Sequence, residues 1–134
     1  MRTFFGFRTG LALALLLMLA AGVGAKTRKG DKAWKEGRAA EERREFDKAL
    51  ELYEKAVQEN PSDSAYLLSM RRVRFQAGQA HVDQGQKLRT QGKLEEALAE
   101  FQKAYAIDPS SGIAEQEIRR TSQMIEREKK RAAD

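Results

Sequence analysis

Two stretches of this chain carry one skeleton forty-eight residues apart: Gly37, Ala49, Tyr53, Ala56 and Pro61, then Gly85, Ala97, Phe101, Ala104 and Pro109. The intervals are 12, 4, 3 and 5 in both copies. A repeated unit of this size points to an all-α solenoid of stacked helical hairpins. Small residues let two antiparallel helices approach closely, and the aromatic at 53 or 101 fills the space between them. Around the first skeleton, apolar residues at 46, 49, 50, 53, 56 and 57 form a helical stripe with charge on the opposite side. Leu94, Ala97, Leu98, Phe101, Ala104 and Tyr105 repeat the stripe. Packing accounts for all of these residues, so none marks a cofactor pocket.

These residues resemble the tetratricopeptide repeat, a helix-turn-helix unit of 34 residues. The second copy, with Gly92-Lys93-Leu94-Glu95-Glu96-Ala97 inside it, is the nearer match. Residues 46–61 and 94–109 share Ala49/Ala97, Leu50/Leu98, Lys55/Lys103, Ala56/Ala104 and Pro61/Pro109. The first copy carries Arg44 where the family has a turn glycine, which predicts a turn that is tighter or differently shaped. The resemblance implies two hairpins, the second with an extended first helix, plus a carboxy-terminal capping helix, in a short right-handed solenoid. It also implies a protein-binding scaffold whose partner is chosen by surface residues.

The spacing of 48 exceeds the family period by fourteen residues, with no proline between Pro61 and Pro109. Fourteen residues make about four helical turns and about 21 Å of rise, with a phase change of only about 40°. One long helix from about Asp63 to Thr90 is therefore expected, capped by Ser62, Asp63 or Ser64. Ala65, Leu68, Val73 and Phe75 would extend a stripe that Val82 and Leu88 continue. Gly78 leaves a kink or break as the alternative. After Pro109, Ile113, Ile118, Thr121, Met124 and Ile125 predict a capping helix, needed because each solenoid repeat leaves one face unburied.

At the amino terminus, Arg2 and Arg8 precede an uncharged apolar run from Leu11 to Ala21, and Val23-Gly24-Ala25 supplies small residues before Lys26. That order is that of a signal peptide over residues 1–25. A run shorter than the roughly 20 residues needed to span a bilayer argues for cleavage rather than anchoring. Residues 26–30 read as a polar linker, 31–126 as the helical domain, and 127–134 as a charged tail that frays into solvent. The expected location is thus the periplasm or cell envelope. The chain has no cysteine, which excludes disulfides, a thiolate nucleophile and lipid attachment through cysteine.

Chemistry finds little support. His81 is the single histidine, and Asp83, two positions on, points to another side of a helix, so the pair makes neither a metal site nor a dyad. Serines 62, 64, 110 and 111 are explained by capping. No phosphate-binding loop is present. No enzymatic activity and no cofactor are expected. Without Arg2 and Arg8 of the leader the net charge falls from +5 to a mild +3, and Glu115, Glu117, Glu126 and Glu128 interleave with Arg119, Arg120 and the tail lysines, so no one-sided basic face offers itself to nucleic acid. Arg71, Arg72 and Arg74 are less balanced and leave contact with anionic lipid or an acidic partner open.

The candidate partner-binding face joins Trp34, Arg38 and Glu41 of the first copy to Val82, Gln86 and Arg89 of the second. Trp34 has two readings: a ring closing the exposed end of the core, or an anchor for a bound peptide, a neighbouring domain or a second copy of the chain. The lysine, asparagine and arginine set with which some family members clamp a terminal carboxylate is absent. A narrower resemblance runs from His81 through Pro109 to Thr121, which is similar to the helical-repeat region that precedes the secretin domain in outer-membrane secretins of secretion and pilus systems. It implies a stand-alone or truncated relative without channel activity. The sequence thus reads as an exported protein-interaction adaptor of the bacterial envelope, with a peripheral membrane-surface protein as the alternative.

Overall fold

The structure, a computed structural model, describes residues 27–134, and these form five helices. They are α1 (Arg28–Glu42), α2 (Phe46–Glu59), α3 (Ser64–Thr90), α4 (Leu94–Ile107) and α5 (Gly112–Ala133). The expected leader over residues 1–25 lies outside the described residues.

Local chemistry sets the helix starts. Thr27 accepts from the Gly30 amide at 3.1 Å and opens α1. Asp63 accepts from the amides of Ala65 and Tyr66 at 2.9 and 3.1 Å, so among the three expected caps it is the one that opens α3. Ser111 caps α5. Each such bond satisfies an amide that has no partner within its own helix.

Helix α3 runs through Gly78 without a break, 27 residues or about 40 Å long. Its first half packs on α1 and α2, and its second half packs on α4. The first core joins Ala40, Ala49, Leu50, Tyr53 and Val73; the second joins Val82, Ala97, Phe101, Ala104 and Ala114. Ile107, at the end of α4, packs against the first core, so the two cores meet there. The two hairpins therefore share one long helix and are offset along it, and α5 covers α4.

Four details depart from the sequence expectations. Residues 28–30 are helix, not linker, because Thr27 caps them and Gly30 is buried: a β-carbon there would lie 3.3 Å from Glu59 and from the Tyr66 ring. The tail is helical to Ala133, as suits a run of Glu, Lys, Arg and Ala, all good helix formers. The buried stripe of α3 is Tyr66, Ser69, Val73 and Ala77, while Leu68 and Phe75 are each 65% exposed and Ile113 of α5 also faces solvent. The Arg44 turn has the shape of the glycine turn: Arg44 takes φ 60° and Gly92 takes φ 78°. The helices flanking both turns end and begin at matching positions, and that geometry imposes the left-handed residue whichever side chain it carries.

Candidate functional site

The proposed face is largely engaged inside the molecule. Trp34 is half-buried; its Nε1 donates to Ser69 Oγ of α3 at 3.0 Å and its ring lies 5.9 Å from that of Tyr66. Arg38 stacks over the Trp34 ring at 5.1 Å. Glu41 accepts two hydrogen bonds from Arg72 of α3, both 2.8 Å, and a third from the Tyr53 hydroxyl at 2.6 Å. The Arg72 bond is the main reason that Glu41 titrates below the ordinary carboxylate range; burial opposes it and the Tyr53 bond assists. Burial first, then Glu41, pushes the Tyr53 phenol up to about 12.

In the second copy the expected face is corrected. Val82 is 1% exposed and belongs to the core, because α4 covers that side of α3. Arg89 is held against the Phe101 ring at 5.4 Å and ion-paired with Glu117 of α5. Gln86 is half-buried. The arginine cluster is also partly neutralised: Arg72 pairs with Glu41, and Arg74 with Glu54 at 3.4 Å. Only Arg71 of the three is exposed without an ion pair among the described residues.

The open surface lies elsewhere, around the turn between α1 and α2. Three adjoining hollows of about 520, 510 and 560 Å³ are all lined by Arg44 and Phe46. One reaches Glu41 and Arg72, one reaches Phe75 and Lys87, and one reaches His81 and Glu100. Together they make a groove around the turn where the two hairpins meet.

His81 stands at this seam. Its Nδ1 is 2.6 Å from Glu100 Oε2 of α4 and its Nε2 is 2.9 Å from Asp47 Oδ2 of α2. Burial disfavours its charge, but the bonds to Glu100 and Asp47 outweigh that and lift its pKa above the ordinary histidine value. Burial raises the Glu100 carboxyl, and the His81 and Lys103 bonds more than reverse it. A protonated imidazole thus donates from both nitrogens and ties α2, α3 and α4 together. Asp83, the neighbour considered from sequence, instead accepts from Gln79 at 2.9 Å. Spacing along one helix could not show Asp47 or Glu100, which lie 34 and 19 positions away. Among the described residues, no group of three or more His, Asp or Glu is placed to hold a metal ion, and no helix is long and apolar enough to cross a membrane.

Paired helices packed through a glycine and an aromatic, with a surface groove at their seam, define a helical-repeat protein-interaction scaffold. The tetratricopeptide repeat family model matches residues 32–63 and 78–111. The chain belongs to that family. The interval between the matched segments, residues 64–77, is the extra stretch of α3. Among solved structures, the first TPR of Spaghetti (RPAP3) bound to HSP90 peptide SRMEEVD is similar at 18% identity, covering 78% of this chain and 98% of that one, with a TM-score of 0.37. Among curated proteins, none matches the chain significantly.

Proposed function

We propose that this chain is an exported adaptor of the bacterial cell envelope that binds another protein, in association with a secretion or pilus assembly system. The observation that carries the binding role is the groove around Arg44 and Phe46, an apolar ring and an exposed cation set at the seam of two repeats. The export role rests on the order of Arg2, Arg8, the apolar run and Val23-Gly24-Ala25.

Cell fractionation with amino-terminal sequencing tests export: the mature chain should begin at Lys26 and be released with the periplasm. A cytosolic product beginning at Met1 overturns it. Affinity purification from envelope extracts tests the groove. Arg44→Glu should sharply reduce recovery of the partner while the helical signal stays unchanged; full recovery would move the binding role off this groove. The alternative of a lipid-binding surface has less support, since Glu41 and Glu54 already hold Arg72 and Arg74.

A further inference from the structure

Helix α3 carries one continuous stripe at alternating intervals of four and three, the spacing of a seam that faces a single partner helix. Its second half, Gly78, Val82, Gly85 and Arg89, is covered by α4: a β-carbon on Gly85 would lie 2.5 Å from the Phe101 ring, and Gly78 adjoins Ala104 and Asp108 at the end of α4. Its first half, Ser64, Leu68, Arg71 and Phe75, is exposed, with Leu68 and Phe75 each 65% accessible. The fourteen extra residues of α3 cause this. They carry the second hairpin along the helix and leave bare the turns on which that hairpin would otherwise pack.

The charge of the bare half selects its occupant. Between Ser64 and Val82 there are three arginines and no carboxylate. Glu41 and Glu54 neutralise Arg72 and Arg74 from α1 and α2, leaving Arg71, which has no ion pair among the described residues, as the cation between the two apolar side chains. A second copy docked about a two-fold axis would set Arg71 near its own counterpart, an unfavourable pairing. The chain's own apolar segment, Leu11 to Ala21, has no carboxylate to offer.

We infer that the bare half of α3 docks an amphipathic acidic helix of another protein, lying end to end with α4 and continuing its seam. Such a helix inserts two apolar side chains, one heptad apart, around Leu68 and Phe75, and sets a carboxylate against Arg71. This rests on the protein-binding part of the proposed function; the face adjoins the Arg44 groove at Phe75, which lines one of its hollows, and extends away from it over Arg71 and Leu68.

The test uses the full chain and two fluorescent synthetic peptides of two heptads, alike in their apolar seam, with glutamate in one and lysine in the other beside it. Fluorescence anisotropy should show the acidic peptide binding at least about tenfold more tightly. Leu68→Ser should weaken it by about tenfold or more, and Arg71→Glu should transfer the preference to the lysine peptide. Both residues are exposed, so circular dichroism should be unchanged. Equal binding of the two peptides, or binding indifferent to Leu68→Ser, overturns the inference. So does a dimer in sedimentation velocity that Leu68→Ser dissociates, which would make a second copy the occupant. Binding of phosphatidylglycerol vesicles lost in Arg71→Glu would assign the face to lipid and overturn it as well. Leu68 and Arg71 line none of the Arg44 hollows, so the effects of Leu68→Ser and Arg71→Glu should persist in an Arg44→Glu background, which separates failure here from failure of the groove.

Discussion

The ring of Phe101 occupies the space that any side chain on Gly85 would need, since a β-carbon there would lie 2.5 Å from its nearest ring atom. Tyr53 stands over Gly37 in the same way, at 2.7 Å. The glycine and the aromatic sixteen positions on are thus two halves of one contact. In a helix interior alanine is favoured over glycine by about 1 kcal/mol, whereas overpacking a close helix contact costs about 1 to 3 kcal/mol. Gly37→Ala and Gly85→Ala should therefore each lower stability in urea titrations. Gly112→Ala, where nothing lies within 4 Å, serves as the control and should be neutral or slightly stabilising. Equal behaviour of all three would remove the ring-over-glycine account.

Arg44 supports a second prediction. A non-glycine residue in the left-handed region costs about 1 to 2 kcal/mol, and glycine returns part of that through its more flexible unfolded chain. Arg44→Gly should stabilise the chain by about 0.5 to 1 kcal/mol, and Gly92→Ala should destabilise it by a similar amount. Thermal melts of the two variants moving in the same direction would contradict the shared geometry of the turns.

Stability should also depend on pH through His81. Its folded pKa is raised, so its contribution is fully present below the ordinary value of 6.5 and is lost as pH rises through the folded value. Glu100, lowered when folded, contributes above the ordinary carboxylate value of 4.5 and loses that contribution on acidification. Urea midpoints should hence decline from weakly acidic toward alkaline pH, and His81→Gln should flatten that decline. As the chain has one histidine, its imidazole resonance can be followed directly by NMR. A titration midpoint at or below 6.5 would rule out the three-helix tie.

Glu41 joins three helices through Arg72 and Tyr53, and Tyr53 is fully buried. Glu41→Ala strands a buried hydroxyl and should cost about 1 to 3 kcal/mol. In a double-mutant cycle with Arg72→Ala the two losses should be strongly non-additive; additive losses would mean the contacts act independently.

Trp34 is the point where stability and binding can be told apart. With its indole bonded to Ser69 and packed on Tyr66, Trp34→Ala should cost up to about 3 kcal/mol of stability for a half-buried ring, seen as a clearly lower melting temperature. A variant that melts like the parent but loses its partner would instead make the ring an anchor.

Much of the architecture is determined locally and could be read from residue order. The helix phase of Ala49, Tyr53, Ala56 and their counterparts sets which sides pack, Asp63 and Ser111 begin helices by bonding amides a few positions away, and the in-phase insertion predicts one long α3. Contacts that depend on where a distant helix lies could not be read in this way. Asp47 and Glu100 reach His81 only because α2 and α4 meet at a seam on α3, and Val82 is core while Leu68 and Phe75 are bare only because α4 covers one half of a uniform stripe. The left-handed Arg44 belongs to the same class: its side chain disfavours that conformation, and the packing of α1 on α2 imposes it. Periodicity specifies a face of a helix, and the tertiary offset of the hairpins decides which part of that face is covered.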